Sequence, residues 1–280
     1  RIVPGIRYEH IRNLSHDKKD LNKNDIRLTE VLLSPGVGLS YLGVENWTLF
    51  TGAYKGFSPT GPGQSGDIKP EESNNYELGA SYGAENLNST FVLFYNDYEN
   101  IKGICSLSVG CDPSDLDKES NGGKAKIYGT EFNISGQTHF NSYTLQSDFN
   151  HSYTYAGFLS DINSSNAEWG VGDIKSGDPL PYVPDQKSAL GLGIKDKLWG
   201  VRTRFNHTGR RYDQSLKEER RKLGQYITID LAGDYTVYNS VNLFAKIENL
   251  TNKEYVSSMR PFGLRPGKPR SFFVGTKVEF

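Results

Sequence analysis

The feature that most constrains this chain is a two-residue alternation that carries charges through the middle of its strands. Val241, Leu243, Ala245 and Ile247 alternate with Asn242, Phe244, Lys246 and Glu248. Upstream, Ile227, Ile229, Leu231, Gly233, Tyr235 and Val237 alternate with Thr228, Asp230, Ala232 and Asp234. Trp199, Val201, Thr203 and Phe205 likewise oppose Arg202, Arg204 and Asn206. At the end of the chain Phe272, Val274, Thr276, Val278 and Phe280 oppose Ser271, Phe273, Gly275, Lys277 and Glu279. A period of two sends successive side chains to opposite faces of an extended strand. Charges at strand centres exclude a dry sandwich interior and require a wet one. A strand with one apolar and one hydrated face suits a barrel whose outside meets lipid and whose lumen holds water.

Composition agrees. No run approaches the roughly 18 apolar residues of a membrane-spanning helix, and mean hydropathy is −0.58. That excludes a helical membrane protein but not a barrel, because alternation cancels the averaged signal. The 280 residues suffice for one large all-β domain, and 30 Gly, 17 Tyr and 14 Phe against one Met favour sheet and turn. Lys plus Arg (32) balances Asp plus Glu (33), so nothing points to nucleic acid. Arg1 falls inside a strand, with neither initiator Met nor signal peptide before it, as expected of a mature or truncated product.

The alternation predicts twelve antiparallel strands near 1–12, 29–42, 46–57, 71–83, 88–103, 124–136, 141–156, 186–196, 198–210, 225–238, 241–250 and 271–280. The run 91–95 is apolar on both faces and fixes no phase. Short connections (near 43–45, 84–87, 137–140, 197 and 239–240) alternate with long ones (near 13–28, 58–70, 104–123, 157–185, 211–224 and 251–270). Outer-membrane barrels keep short turns on the periplasmic rim and long loops outside. Tyr41, Trp47, Tyr82, Trp199 and Tyr238 lie beside the short turns, where an interfacial aromatic girdle belongs. On this reading 251–270 is extracellular, Phe280 ends at the periplasmic side and the first strand runs outward.

Cys105 and Cys111 sit close together in a polar loop, which predicts a disulfide in an oxidising compartment; a zinc site lacks two further ligands nearby. His10, His16, His139, His151 and His207 share no metal-ligand spacing. No nucleophile elbow or phosphate loop appears, so an enzyme is not expected.

Several phrases resemble TonB-dependent receptors. They are Glu248–Tyr255 followed by Arg260–Arg270 (Arg-Pro-Phe-Gly-Leu-Arg-Pro-Gly-Lys-Pro-Arg), Tyr54–Pro59, Glu71–Gly79, Ile127–Phe132, Pro4–Glu9 and Pro181–Pro184. The Arg260–Arg270 phrase is most similar to the ferric-citrate receptor branch. The resemblance implies a 22-stranded barrel around an N-terminal plug, with residues 1–280 forming the C-terminal part of the barrel and no plug present. It implies residence in the outer membrane of a Gram-negative bacterium, among lipid and lipopolysaccharide. It further implies ferric-chelate uptake driven by TonB–ExbB–ExbD through the missing N-terminal region, with iron as cargo and no resident cofactor. The candidate ligand contacts are Arg210, Arg211, Arg260, Arg265, Lys268 and Arg270, since guanidinium groups offer a fork of donors to the carboxylates of an anionic chelate. Against this, loop arginines are commonly solvated or bind lipopolysaccharide phosphates. A barrel of this kind also suits a passive porin, a haem receptor (through His10 and His16) or an outer-membrane enzyme.

Overall fold

The computed structural model describes residues 1–16, 25–64, 66–107, 111–238, 241–260 and 263–278. Its frame is a twelve-stranded sheet whose strand order follows chain order, each strand antiparallel to the next. The strands are β1 (Ile2–Ser15), β2 (Ile26–Val44), β3 (Trp47–Ser58), β4 (Glu71–Ala84), β5 (Leu87–Glu99), β6 (Ala125–Phe140), β7 (Tyr143–Phe158), β8 (Gln186–Lys195), β9 (Trp199–Thr208), β10 (Tyr226–Tyr238), β11 (Val241–Glu248) and β12 (Ser271–Val278). The fold is all-β, and no helix among the described residues is long and apolar enough to cross a membrane.

The two faces differ as the alternation requires. One carries exposed apolar side chains along every strand, among them Leu39, Leu78, Leu93, Leu192, Val201, Phe272 and Val274. For the run 91–95, pairing with β6 puts Phe91, Leu93 and Tyr95 on this face and Val92 and Phe94 on the other. Aromatic side chains gather near both ends of the apolar face. Tyr76, Tyr95, Tyr128 and Tyr155 form a ladder across β4–β7, with centroids 6.4, 6.3 and 4.9 Å apart. Beside the short turns, Trp47 meets Tyr82 at 5.1 Å and Tyr143 meets Trp199 at 6.0 Å.

The second face is polar and closely fitted. Phe50, Phe94 and Phe244 each stand opposite a glycine of the adjacent strand, Gly79, Gly129 and Gly275, and a Cβ at any of these would meet the ring. Gly191 of β8 serves a different contact. The Asp148 carboxylate of β7 passes over it to Arg202 of β9, and Arg204 stands 3.7 Å away. A Cβ at Gly191 would collide with that carboxylate.

Two expectations shift. The turn expected at 137–140 falls at Asn141–Ser142, because Gln137–Phe140 stay paired with Tyr143–Gln146 and Asn141 takes the left-handed φ of 55° that a tight turn needs. The strand expected to reach 103 stops at Glu99, where Asn100 has φ 52°. The 239–240 turn and Phe280 lie outside the described residues.

Candidate functional site

The long connections are not plain loops. Four contain two-stranded ribbons: Lys102–Ile104 with Glu119–Asn121, Ile162–Ser164 with Gly172–Ile174, Arg211–Tyr212 with Lys222–Leu223, and Val256–Ser258 with Arg265–Pro266. They fold onto the polar face. There Ala125, Ala156 and Phe158, at the ends of β6 and β7, are covered by Trp169, Ile174, Leu180 and Leu216. Trp169 is 4% exposed and meets Phe158 edge-on at 5.6 Å. Gly103 and Gly122 make room for its ring, since a Cβ on either would press into the indole.

Polar contacts extend this core into a continuous collar. Glu30 of β2, 8% exposed, accepts the Thr60 amide. Glu119 accepts the Gly61 amide at 3.2 Å, and Lys102 donates to the Pro59 carbonyl at 2.6 Å. Asn166 donates to Ser120 at 2.8 Å, and the Ser215 and Leu216 amides donate to the Trp169 carbonyl at 2.9 and 3.0 Å. Arg220 pairs with Asp178 at 2.8 Å, and Tyr182 accepts the Met259 amide at 3.3 Å. Glu168 accepts the Ile104 amide at 3.3 Å. Its burial raises its carboxyl above the usual range, opposed by that amide and by the Arg260 charge. At the surface, Ser176 and Lys175 hold the Asp161 carboxyl below its ordinary value.

The six candidate cations fall into different surroundings. Arg211 is 6% exposed, donates to the Val256 and Ser257 carbonyls at 2.8 and 3.1 Å, and lies 5.5 Å over Tyr226. Arg260 donates to the Ala167 carbonyl. These two fasten one outer connection to another. Lys268 pairs with Glu248 and sits 4.8 Å over Phe273, on the polar face. Arg270 reaches the Leu250 carbonyl at 3.4 Å and lies 5.9 Å over Phe272 of the apolar face. Arg210 is exposed, 3.8 Å from Asp185, and Arg265 is exposed, paired in its ribbon with Ser258 and accepting at its carbonyl from the Ser257 hydroxyl. Arg210, Arg265 and Arg270 are the exposed guanidinium groups of the six, and Arg270 alone of these reaches toward the apolar face. Cys105 and Cys111 are joined in a disulfide, Cα atoms 5.6 Å apart. His16 meets Asp25 at 2.7 Å, and no group of three or more His, Cys, Asp or Glu among the described residues could hold a metal ion.

The collar turns on Trp169, Glu168, Glu119 and Glu30, none of which the alternation marks. A tryptophan in a polar, glycine-rich connection is the one local signal of a buried anchor there.

Comparison with known proteins places this architecture. The family described as "TonB dependent receptor-like, beta-barrel" matches residues 1–250. The chain belongs to that family. A probable TonB-dependent siderophore receptor, PiuA of Acinetobacter baumannii, is 23% identical over 251 residues, covering 78% of this chain and 30% of its own length. Among solved structures, the FrpB iron transporter of Neisseria meningitidis superposes over 100% of this chain and 43% of its own, with TM-score 0.76 and 15% identity. The ferric-catecholate import receptor Fiu of E. coli K12 superposes over 100% of this chain and 42% of its own, with TM-score 0.71 and 19% identity. The chain thus spans less than half of each relative. Within a receptor barrel of this family, the polar face is the lumenal wall and the apolar face meets lipid.

Proposed function

We propose that residues 1–280 are the C-terminal part of the barrel of an outer-membrane receptor that imports a ferric chelate into a Gram-negative bacterium. TonB–ExbB–ExbD drives uptake through the N-terminal region that the longer relatives have room for. The observation that carries this reading is the collar. Its connections fold inward over the polar wall and leave Arg210 and Arg265 exposed. An anionic chelate presents carboxylate or phenolate oxygens, and a guanidinium meets two of them in one plane. The likeness of the Arg260–Arg270 segment to the ferric-citrate branch favours citrate as the chelating acid, and PiuA and Fiu make larger siderophores the comparison to run.

The test is a binding titration of the intact receptor with ferric citrate and with a ferric catecholate, for wild type, Arg210→Ala and Arg265→Ala. Loss of one charge-assisted hydrogen bond, about 1.5–3 kcal/mol, weakens binding roughly ten- to a hundredfold. Unchanged affinity in both variants removes these arginines from the site. Uptake that persists after the proton-motive force is dissipated would make the barrel a passive porin instead.

A further inference from the structure

The lipid-facing side of the β1–β2 hairpin is uniformly apolar until, near its outer end, it becomes cationic. Ile2, Pro4, Ile6 and Tyr8 share that face with their partners Leu39, Val37, Pro35 and Leu33. Ile6 is 75% and Tyr8 63% exposed. Continuing outward on the same face come His10 opposite Val31, Arg12 opposite Thr29, and Leu14 opposite Arg27. Arg12 and Arg27 are therefore diagonal neighbours on an antiparallel pair, close enough for one anion to touch both. Each is exposed. Arg12 spends its Nε on His10, donating to Nε2 at 3.1 Å, and among the described residues its two terminal nitrogens have no hydrogen-bond partner.

Each described carboxylate of this hairpin has another partner, and two of the three lie on the polar face. Glu9 lies on the polar face and binds Arg7 at 2.7 Å. Glu30, also on the polar face, is buried on the Thr60 amide. Asp25 binds His16. Among the described residues neither Arg12 nor Arg27 has a carboxylate within ion-pair distance. Cations toward the outer end of the neighbouring strands are compensated. Lys55 pairs with Glu72 and Lys124 with Glu99, each at 2.7 Å. Lys126 packs 5.7 and 5.6 Å over Tyr128 and Tyr155, opposite Asp97. Among the described residues, Arg12 and Arg27 thus put positive charge on the apolar face of β1–β2 without a carboxylate partner.

We propose that Arg12 and Arg27 form a binding site for the phosphate of an anionic lipid headgroup in the outer leaflet. The proposal rests on the barrel being membrane-embedded. Where an apolar band ends, the next layer is headgroup, and two guanidinium groups there, without a carboxylate partner among the described residues, match a phosphate in charge and in donor geometry. Continuity with Tyr8, Val31 and Leu33 says that the phosphate arrives on an acyl-chain lipid, whose tails lie along those side chains.

The test uses the intact receptor in detergent, with its fold confirmed by heat-modifiable migration, titrated with bis-phosphorylated lipid A in mixed micelles. Lipid A stripped of its phosphates is the second ligand, and inorganic phosphate is a competitor. The double substitution Arg12→Ala with Arg27→Ala should weaken binding of the phosphorylated lipid at least tenfold, and Arg12→Lys with Arg27→Lys should retain most of it. The dephosphorylated lipid should bind weakly and alike to wild type and variants. Equal affinity of wild type and the alanine variant, or equal loss in the lysine variant, overturns the site. So does displacement of the lipid by an equal concentration of inorganic phosphate, which would make the ligand free phosphate. Chelate binding on the same preparation separates the two readings. Its retention in the alanine variant leaves the receptor function standing whatever the lipid does, and its absence in wild type sinks that function without touching the lipid result.

Discussion

Glu168 shows how a single side chain couples the collar to pH. Its carboxylate accepts the Ile104 amide and faces the Arg260 charge, yet burial dominates and raises its pKa. The folded chain therefore holds this proton more tightly than the unfolded chain. Stability from the group is complete below the ordinary carboxylate range and declines as pH climbs through the raised folded value. The Glu168→Gln variant, neutral at every pH, should abolish that slope. Hydrogen exchange at the Ile104 amide, followed on both sides of the carboxylate range, reads it directly, and an equal slope in the variant would show that another group titrates. The same scale explains why the six cations could not be ranked from sequence. Arg260 meets Ala167 across 93 residues, and Arg211 reaches Val256 and Ser257 across 45 and 46. Local sequence identifies a guanidinium in a loop; it carries no trace of a carbonyl that the fold brings from so far away.

At the scale of elements, the strands were legible because two faces meeting two solvents impose a period that every strand must obey. The 137–140 turn went astray for the same reason. Gln137 and His139 continue the polar phase on a strand end where either assignment fits, and Asn141 holds the turn. The collar was illegible because its apolar residues have no period. Trp169, Leu180 and Leu216 come from irregular segments and Ile174 from a three-residue ribbon strand, and they meet through folding over β6 and β7. That gives Trp169 a measurable role. A buried Trp→Ala substitution costs about 3–5 kcal/mol, more than a set of short ribbons would hold in reserve. Trp169→Ala should thus raise hydrogen exchange across 100–123, 159–185 and 211–224 together, leaving the amides of β6–β9 protected. Exchange confined to the neighbourhood of residue 169 would mean that the connections are held separately by their polar contacts.

At the scale of the whole molecule, the asymmetry between short and long connections is what the proposed orientation rests on. Long connections that build a core of their own need room and a partner surface, and the polar wall supplies both. The short turns, such as Asn141–Ser142 and Glu45–Asn46, have no bulk to fold and end beside the Trp47–Tyr82 and Tyr143–Trp199 contacts. An interfacial aromatic belt beside turns this tight places the turns at a membrane surface, with little protein beyond it. The collar then lies on the opposite side, which the proposed function makes the outer one. Single cysteines at Ser165 and Ser142, both exposed, convert this into an experiment on intact cells. The native Cys105–Cys111 bridge remains oxidised and does not compete for the reagent. An impermeant maleimide should label the position-165 variant in whole cells and the position-142 variant after the outer membrane is permeabilised. The reverse pattern would invert the barrel, move the collar to the inner rim and overturn the proposed role of Arg210 and Arg265 in ligand capture. Labelling of both in intact cells would mean that the apolar face is not embedded in a bilayer.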